Sequence, residues 1–289
     1  MGASIRTFGL FVFMIGLFMA IGWLVGSLFL GDWVLGALMF LVLASLINFV
    51  SYFFSSKIVL RSYRVKMVSE AEAPRLYRIV RNIAAMNGIP MPKVGIIPTS
   101  NPNAFATGRN PKNAVVCATE GIMRLLDDDE LAGVMAHEMA HVKDRDILIM
   151  SVASTIAGAI SFAARFAFYG SLFGGRRNEG GVIIAIVLAI TAPIAAMIVQ
   201  LAISRNREYR ADREGAKLIG RPMHLARALE KLEAGNRRDP IRFGNPSSSN
   251  MFIVNPFRGG GLATLFMTHP PMAERIKRLK QQASEMGRF

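Results

Sequence analysis

His137-Glu138-Met139-Ala140-His141 reads H-E-x-x-H, and the rest of the chain is organised around it. On a helix, positions i and i+4 share a face, so His137 and His141 can offer two imidazole nitrogens to one Zn²⁺. Glu138 sits one residue round and reaches past the metal as a general base. The flanks predict that helix. Asp127 followed by Glu130 reads as a capping box, and Asp127, Asp128 and Asp129 suit a helix N-terminus. Leu131, Val134, Met135 and Val142 supply its apolar face. Two of the four histidines of the chain fall in this pentapeptide.

The totals place the helix in an unusual setting. The chain has 289 residues, 52% hydrophobic, with a net charge of +14. Its mean hydropathy of +0.35 is too apolar for an ordinary soluble protein and points to membrane segments. The charge could suit a nucleic-acid binder, but the basic residues border apolar runs and no nucleic-acid motif is present. Specific nucleic-acid binding is therefore not expected, and a lipid bilayer with an anionic surface is. The single cysteine, Cys117, excludes an intrachain disulfide.

Two uncharged runs open the chain, Thr7 to Gly31 and Trp33 to Ser56. Each is long enough to cross a bilayer as a helix, with Gly31-Asp32 as the turn. Lys57, Arg61, Arg64 and Lys66 follow at once, so the positive-inside rule puts both ends of the hairpin in the cytoplasm. Ser69 to Asn87 predicts a soluble amphipathic helix, with Ser69 and Glu72 as a capping box and Gly88 as its stop. Met91 to Pro98 is extended. Asn103 to Thr107 and Ala114 to Ala118 read as strands joined by a turn-rich connector. An edge strand here could hold a peptide by backbone pairing or be purely structural. Ile147 to Ser204 contains a second apolar pair; spanning, re-entry and packing against the soluble domain are all open, and length favours spanning. Ser204 to Leu218 and Met223 to Glu233 are charged helices. Gly235 to Thr268 reads as a long loop and a candidate lid, and Pro271 to Met286 as a final amphipathic helix.

A catalytic zinc site has three protein ligands and an open position. Periodicity does not choose the third: His224, His269 and several acids are open. Glu208 with Asp212, four residues on, could bind metal and orient an imidazole. The two could equally belong to a helix tied by pairs such as Arg205 with Glu208.

The order of motifs resembles the HtpX family, in the superfamily of the CAAX prenyl proteases. The shared features are the opening apolar pair, Asn103-Ala104-Phe105-Ala106, H-E-x-x-H, the second apolar pair, Glu208-Tyr209-Arg210-Ala211-Asp212, and Thr268-His269-Pro270-Pro271. The resemblance implies one Zn²⁺ per chain held by His137, His141 and Glu208. It implies Asp212 as the acid behind a ligand histidine, His269 as an oxyanion donor, and Asn103 and Ala104 on the substrate-pairing edge. The implied fold is mainly α and integral to the membrane. A transmembrane hairpin (1–57) precedes a cytoplasmic α+β zincin-like (gluzincin) domain in two parts, 58–146 and 205–289. The second apolar hairpin (147–204) is inserted between the zinc-ligand helices. The implied function is hydrolysis of misfolded or damaged membrane proteins during stress, in a multi-pass protein of a prokaryotic inner membrane, with a functional link to the FtsH protease. The rival is a non-proteolytic zinc-containing membrane chaperone or binding protein. It is disfavoured because structural zinc sites take four ligands, commonly with Cys, and have no use for Glu138.

Overall fold

A computed structural model of the chain describes residues 3–27, 31–157, 205–241, 243–244, 246–257 and 270–287. Helices α1 (Ala3–Val25) and α2 (Trp33–Ser62) form a hairpin whose turn is capped by Asp32, which accepts from the amides of Val34 and Leu35. Close approach at the turn end demands glycine: a Cβ on Gly36 would stand 2.2 Å from the Gly22 carbonyl oxygen. Further along, Asn48 donates to the Phe11 carbonyl at 3.2 Å. Leu35, Leu38, Val42, Leu46, Phe49 and Phe53 run as one exposed stripe down α2, the face a lipid-contacting helix presents. Among the described helices, only α2 is long and apolar enough to cross a membrane; Thr7–Trp23 is a shorter apolar helix.

The expected end of the hairpin at residue 57 falls inside α2, which continues unbroken past Lys57 and Arg61. The reason is packing. Val59 and Tyr63 are buried among Phe105, Ile97 and Phe252 of the soluble part, so the helix keeps an apolar face after its charged residues begin. Tyr63 meets Phe105 with ring centroids 5.8 Å apart, and nearer the hairpin Arg109 lies 5.8 Å and 5.4 Å over the rings of Tyr52 and Phe53.

The sheet has four strands in the order β1 (Lys66–Met67), β2 (Lys93–Ile97), β4 (Ala114–Thr119), β3 (Ala104–Gly108). β2 and β4 are parallel; β3 pairs antiparallel with β4 and stands at the outer edge. Helix α3 (Pro74–Asn87) starts later than Ser69. Pro74 fixes the first turn, and Glu72 instead accepts from the Ser69 amide in the turn before it, at 2.7 Å. A short helix α4 (Glu120–Leu125), unexpected from the sequence, separates β4 from α5 (Asp128–Lys143). The capping box of α5 is made in full: Asp127 accepts from the Glu130 amide at 2.8 Å and Glu130 accepts from that of Asp127 at 3.2 Å.

Helix α6 is described over Asp146–Ala157. The remainder of the second apolar pair lies outside the described residues. Helices α7 (Arg205–Ile219), α8 (Pro222–Arg238) and α9 (Met272–Glu285) complete the soluble part. The loop expected from Gly235 begins later, because α8 runs on to Arg238. Asn236 donates to the Pro102 carbonyl at 2.7 Å and accepts from the side chains of Asn101 and Asn103 at 2.9 and 3.2 Å, which anchors the extra turn. One core joins α3, the sheet, α5 and α8, with Leu76, Val116, Leu131, Met135 and Leu229 fully enclosed.

Candidate metal centre

Helix α5 is buried from Leu131 to Val142 apart from the half-buried Ala132. Its apolar residues face the core, which leaves His137, Glu138 and His141 turned towards α7. The crossing is tight: a Cβ on Gly215 would stand 2.8 Å from the His137 amide nitrogen. Glu208, Asp212 and Gly215 follow the i, i+4, i+7 stripe of α7, so the close contact at Gly215 also delivers Glu208 to the histidines. Gly215→Ala should push the helices apart, costing about 1–3 kcal/mol. Thermal unfolding of the variant checks this; an unchanged midpoint would show that the crossing has slack.

His137 Nε2 lies 3.8 Å from Glu208 Oε2, and His141 Nε2 lies 3.4 Å from Glu208 Oε1. One donor atom from each of the three residues falls within 4.8 Å of the other two. Bonds of about 2.1 Å to a tetrahedral ion set donors roughly 3.4 Å apart, so the donors fit a zinc ion with little adjustment. The opposite ring nitrogens meet acids. His137 Nδ1 lies 2.9 Å from Asp212 Oδ1, and His141 Nδ1 lies 3.6 Å from Asp146 Oδ2. An acid behind each imidazole fixes the ring and leaves Nε2 free to bind metal. Cys117 is buried on β4 and is not among the clustered donors.

Burial pushes the Glu138 carboxyl up to about 7; the charge of His141 opposes that shift, Glu208 adds to it, and Arg275 and the Ala106 amide oppose it. Burial also lowers the pKa of His137, against the pull of Asp212. Burial works against a charge on His141 too, but the nearby carboxylates of Asp146 and Glu208 outweigh it and raise its pKa to about 10.

The structure brings His137, Glu138, His141, Glu208 and Asp212 together, as expected. His269 lies outside the described residues, although Pro270 and α9 directly follow it. His224 sits apart on α8, its Nδ1 3.6 Å from Asp129. Asn103 and Ala104 lie at the start of the edge strand, with the Ala106 amide two residues on close enough to Glu138 to bear on its charge. Sequence reasoning missed two residues. Asp146 backs His141 and pairs with Arg207 at 3.2 Å. Arg275 is fully buried and grips Asp212 through two hydrogen bonds of 2.8 and 2.7 Å. Its signal was an arginine on the inward face of α9, four residues after Pro271.

Known proteins resemble this chain over most of its length. The family model described as Peptidase family M48 matches residues 70–283. A protein named Protease HtpX homolog from Thermococcus sibiricus is 51% identical over 293 residues, covering 99% of this chain and 98% of its own. Proteins of the same name from Syntrophobacter fumaroxidans and Pyrococcus furiosus are 51% and 50% identical, covering 97% and 99% of this chain and 99% and 98% of their own. The crystal structure of S. mikatae Ste24p is similar over 96% of this chain, with a TM-score of 0.48 and 20% identity; the chain spans 64% of that one.

Proposed function

Because the chain belongs to peptidase family M48 and is a membrane metalloprotease like the relatives it matches, we propose that it is a zinc-dependent endopeptidase acting on misfolded or damaged membrane proteins. The observation that carries this is the cluster of His137, His141 and Glu208 donors with Glu138 beside it. Three protein donors leave a position for water, as catalytic sites do and closed structural sites do not.

His137, His141 and Glu208 hold the ion, and Asp212 and Asp146 orient the two imidazoles. When bound, zinc supplies Lewis-acid activation of water and of the peptide carbonyl. Glu138 accepts the proton of the attacking water and returns it to the leaving amine. The substrate chain pairs with β3 at Asn103 and Ala104, and His269 donates to the developing oxyanion. The α1–α2 hairpin crosses a prokaryotic inner membrane, and Lys57, Arg61, Arg64 and Lys66 keep the site on the cytoplasmic side.

The test is metal removal and return. Detergent-purified protein stripped by chelator should lose cleavage of casein and of a model membrane protein, and one equivalent of zinc per chain should restore it. Glu208→Gln should keep the fold yet lose zinc at chelator concentrations the wild type withstands. Full retention would move the third ligand elsewhere. Zinc binding without cleavage of any substrate would favour the chaperone reading.

A further inference from the structure

The edge of β3 is already taken. The outward backbone groups of this strand are those of Ala104 and Ala106, because the residues between them bond to β4. The Ala106 amide lies close enough to Glu138 to bear on its charge. The Ala104 carbonyl accepts from the Ile253 amide at 3.2 Å, and Phe105 forms an antiparallel bridge with Phe252. Asn103 closes on the next residue, donating to the Val254 carbonyl at 2.7 Å and accepting from the Val254 amide at 3.4 Å. Arg275 donates to the Ile253 carbonyl at 2.8 Å with the guanidinium that also holds Asp212. An extended stretch of the chain itself therefore lies on the edge proposed for substrate. It is one alternate residue away from the catalytic carboxylate, and Glu138 and the metal donors are 1–4% exposed behind it.

We propose that Phe252-Ile253-Val254 is a resident strand in the substrate's place, and that a peptide binds by displacing it. The inference rests on the peptidase reading above. Each of the four hydrogen bonds that tie this stretch to Asn103, Ala104 and Arg275 goes to its main chain, so any extended peptide can take them over one for one. The segment is also built to leave as a unit. Its neck is closed by the Ile241 amide donating to the Pro256 carbonyl at 2.9 Å, so the tip can swing without unravelling α8 or α9. The tip is fastened by buried side chains: Met251 and Phe252 lie in the cluster around Tyr63, and Ile253 and Val254 reach the main core. Phe252 packs against Tyr63 and Phe105, with centroids at 4.8 and 5.2 Å. Ser154 donates to Asn250 at 2.8 Å, and Ser248 bonds the Tyr63 hydroxyl. The Asn250 side-chain nitrogen is buried without a hydrogen-bond partner, which holds the closed position below its best stability. The occupant also indicates the favoured ligand, an extended run of aromatic and β-branched residues such as an unravelled membrane segment offers.

The test uses the full-length, zinc-loaded protein. In Glu138→Ala, a saturating peptide that the wild type cleaves should speed amide exchange in residues 251–255 about tenfold or more, while residues 93–97 stay protected. Protection unchanged with peptide bound would make the segment a permanent wall and overturn the proposal. In an otherwise wild-type chain, Ser154→Ala with Ser248→Ala, which loosens the fastening without touching the centre, should raise kcat/KM about tenfold at equal zinc content. A folded, zinc-loaded double variant with an unchanged or lower rate would also overturn it. If the wild type cleaves no peptide at all, the peptidase reading itself fails, and the resident strand falls with it.

Discussion

Glu138→Ala is expected to bind one zinc per chain, keep the fold, and lose cleavage by about 10²–10⁴-fold, the usual contribution of a general base. The geometry separates the two outcomes. Glu138 is not one of the three clustered donors, so removing it leaves the metal set intact. Its carboxyl is buried beside the donor cluster, within the influence of His141 and Glu208. The pH profile carries the same signature. A base must be deprotonated to act, so kcat/KM falls as pH drops through the Glu138 pKa. Burial raises that value from 4.5 to about 7, and a cation at the neighbouring donors pulls it part of the way back. The acid limb of the wild type should therefore bend between those two values, and the residual activity of the variant should lack that bend. Zinc analysis beside initial rates decides the matter: loss of zinc together with activity would make Glu138 a ligand, and unchanged activity would place the base elsewhere.

Arg275→Met is the second large effect. Asp212 is buried and yet ionised. Burial alone would raise its pKa, but the charge and hydrogen bonds of Arg275, aided by His137, bring it down to about 2. A carboxylate depressed in this way stabilises the fold above its unfolded value near 3.8, and the contribution is lost as pH falls through about 2. Removing Arg275 leaves a buried charge without its main partner, a change that costs about 3–5 kcal/mol. Asp212 also orients His137, so zinc affinity should fall about 10–100-fold. Arg275→Lys keeps the charge but not the paired grip on Asp212, and should recover part of the stability and less of the affinity. Denaturant unfolding with zinc titration checks both. A variant as stable as the wild type would show that Asp212 is satisfied without the guanidinium.

What could be read in the sequence was whatever depends on local spacing. The capping box at Asp127 and Glu130 and the shared face of His137 and His141 are short-range features, and the structure keeps both. Glu208 and Asp212 were identified only through resemblance, because nothing local distinguishes them from a helix of ordinary ion pairs. Their selection comes from the tertiary contact at Gly215. Asp146 and Arg275 escaped for the same reason: each acts through a residue distant in space or sequence, Asp146 through His141 and Arg275 through Asp212. The hidden edge of β3 depends on a stretch nearly 150 residues further along, and hydrophobic patterning has no means of pairing the two. The end of the second helix depends on something else again. Charge marked where the apolar run ends, while Val59 and Tyr63, buried against Phe105, decided where the helix ends.

The contacts of α2 with β3 also fix how the strand stands. Tyr63 touches Phe105, and farther back along the helix Tyr52 and Phe53 lie beneath Arg109. From Tyr63 to Tyr52 is about 16 Å along a helix axis, and from Phe105 to Arg109 is about 13 Å along a strand. The two spans are similar, so β3 runs alongside the last turns of α2, with its far end beside Tyr52 and Phe53. If the α1–α2 hairpin crosses the bilayer as proposed, a polypeptide emerging beside it would run alongside that strand from its first residues. The Ala106 level, where Glu138 waits, is only about 10 Å up. On that placement, short tails and tight loops at the water line would be within reach, with no need for the rest of the molecule to be extracted first.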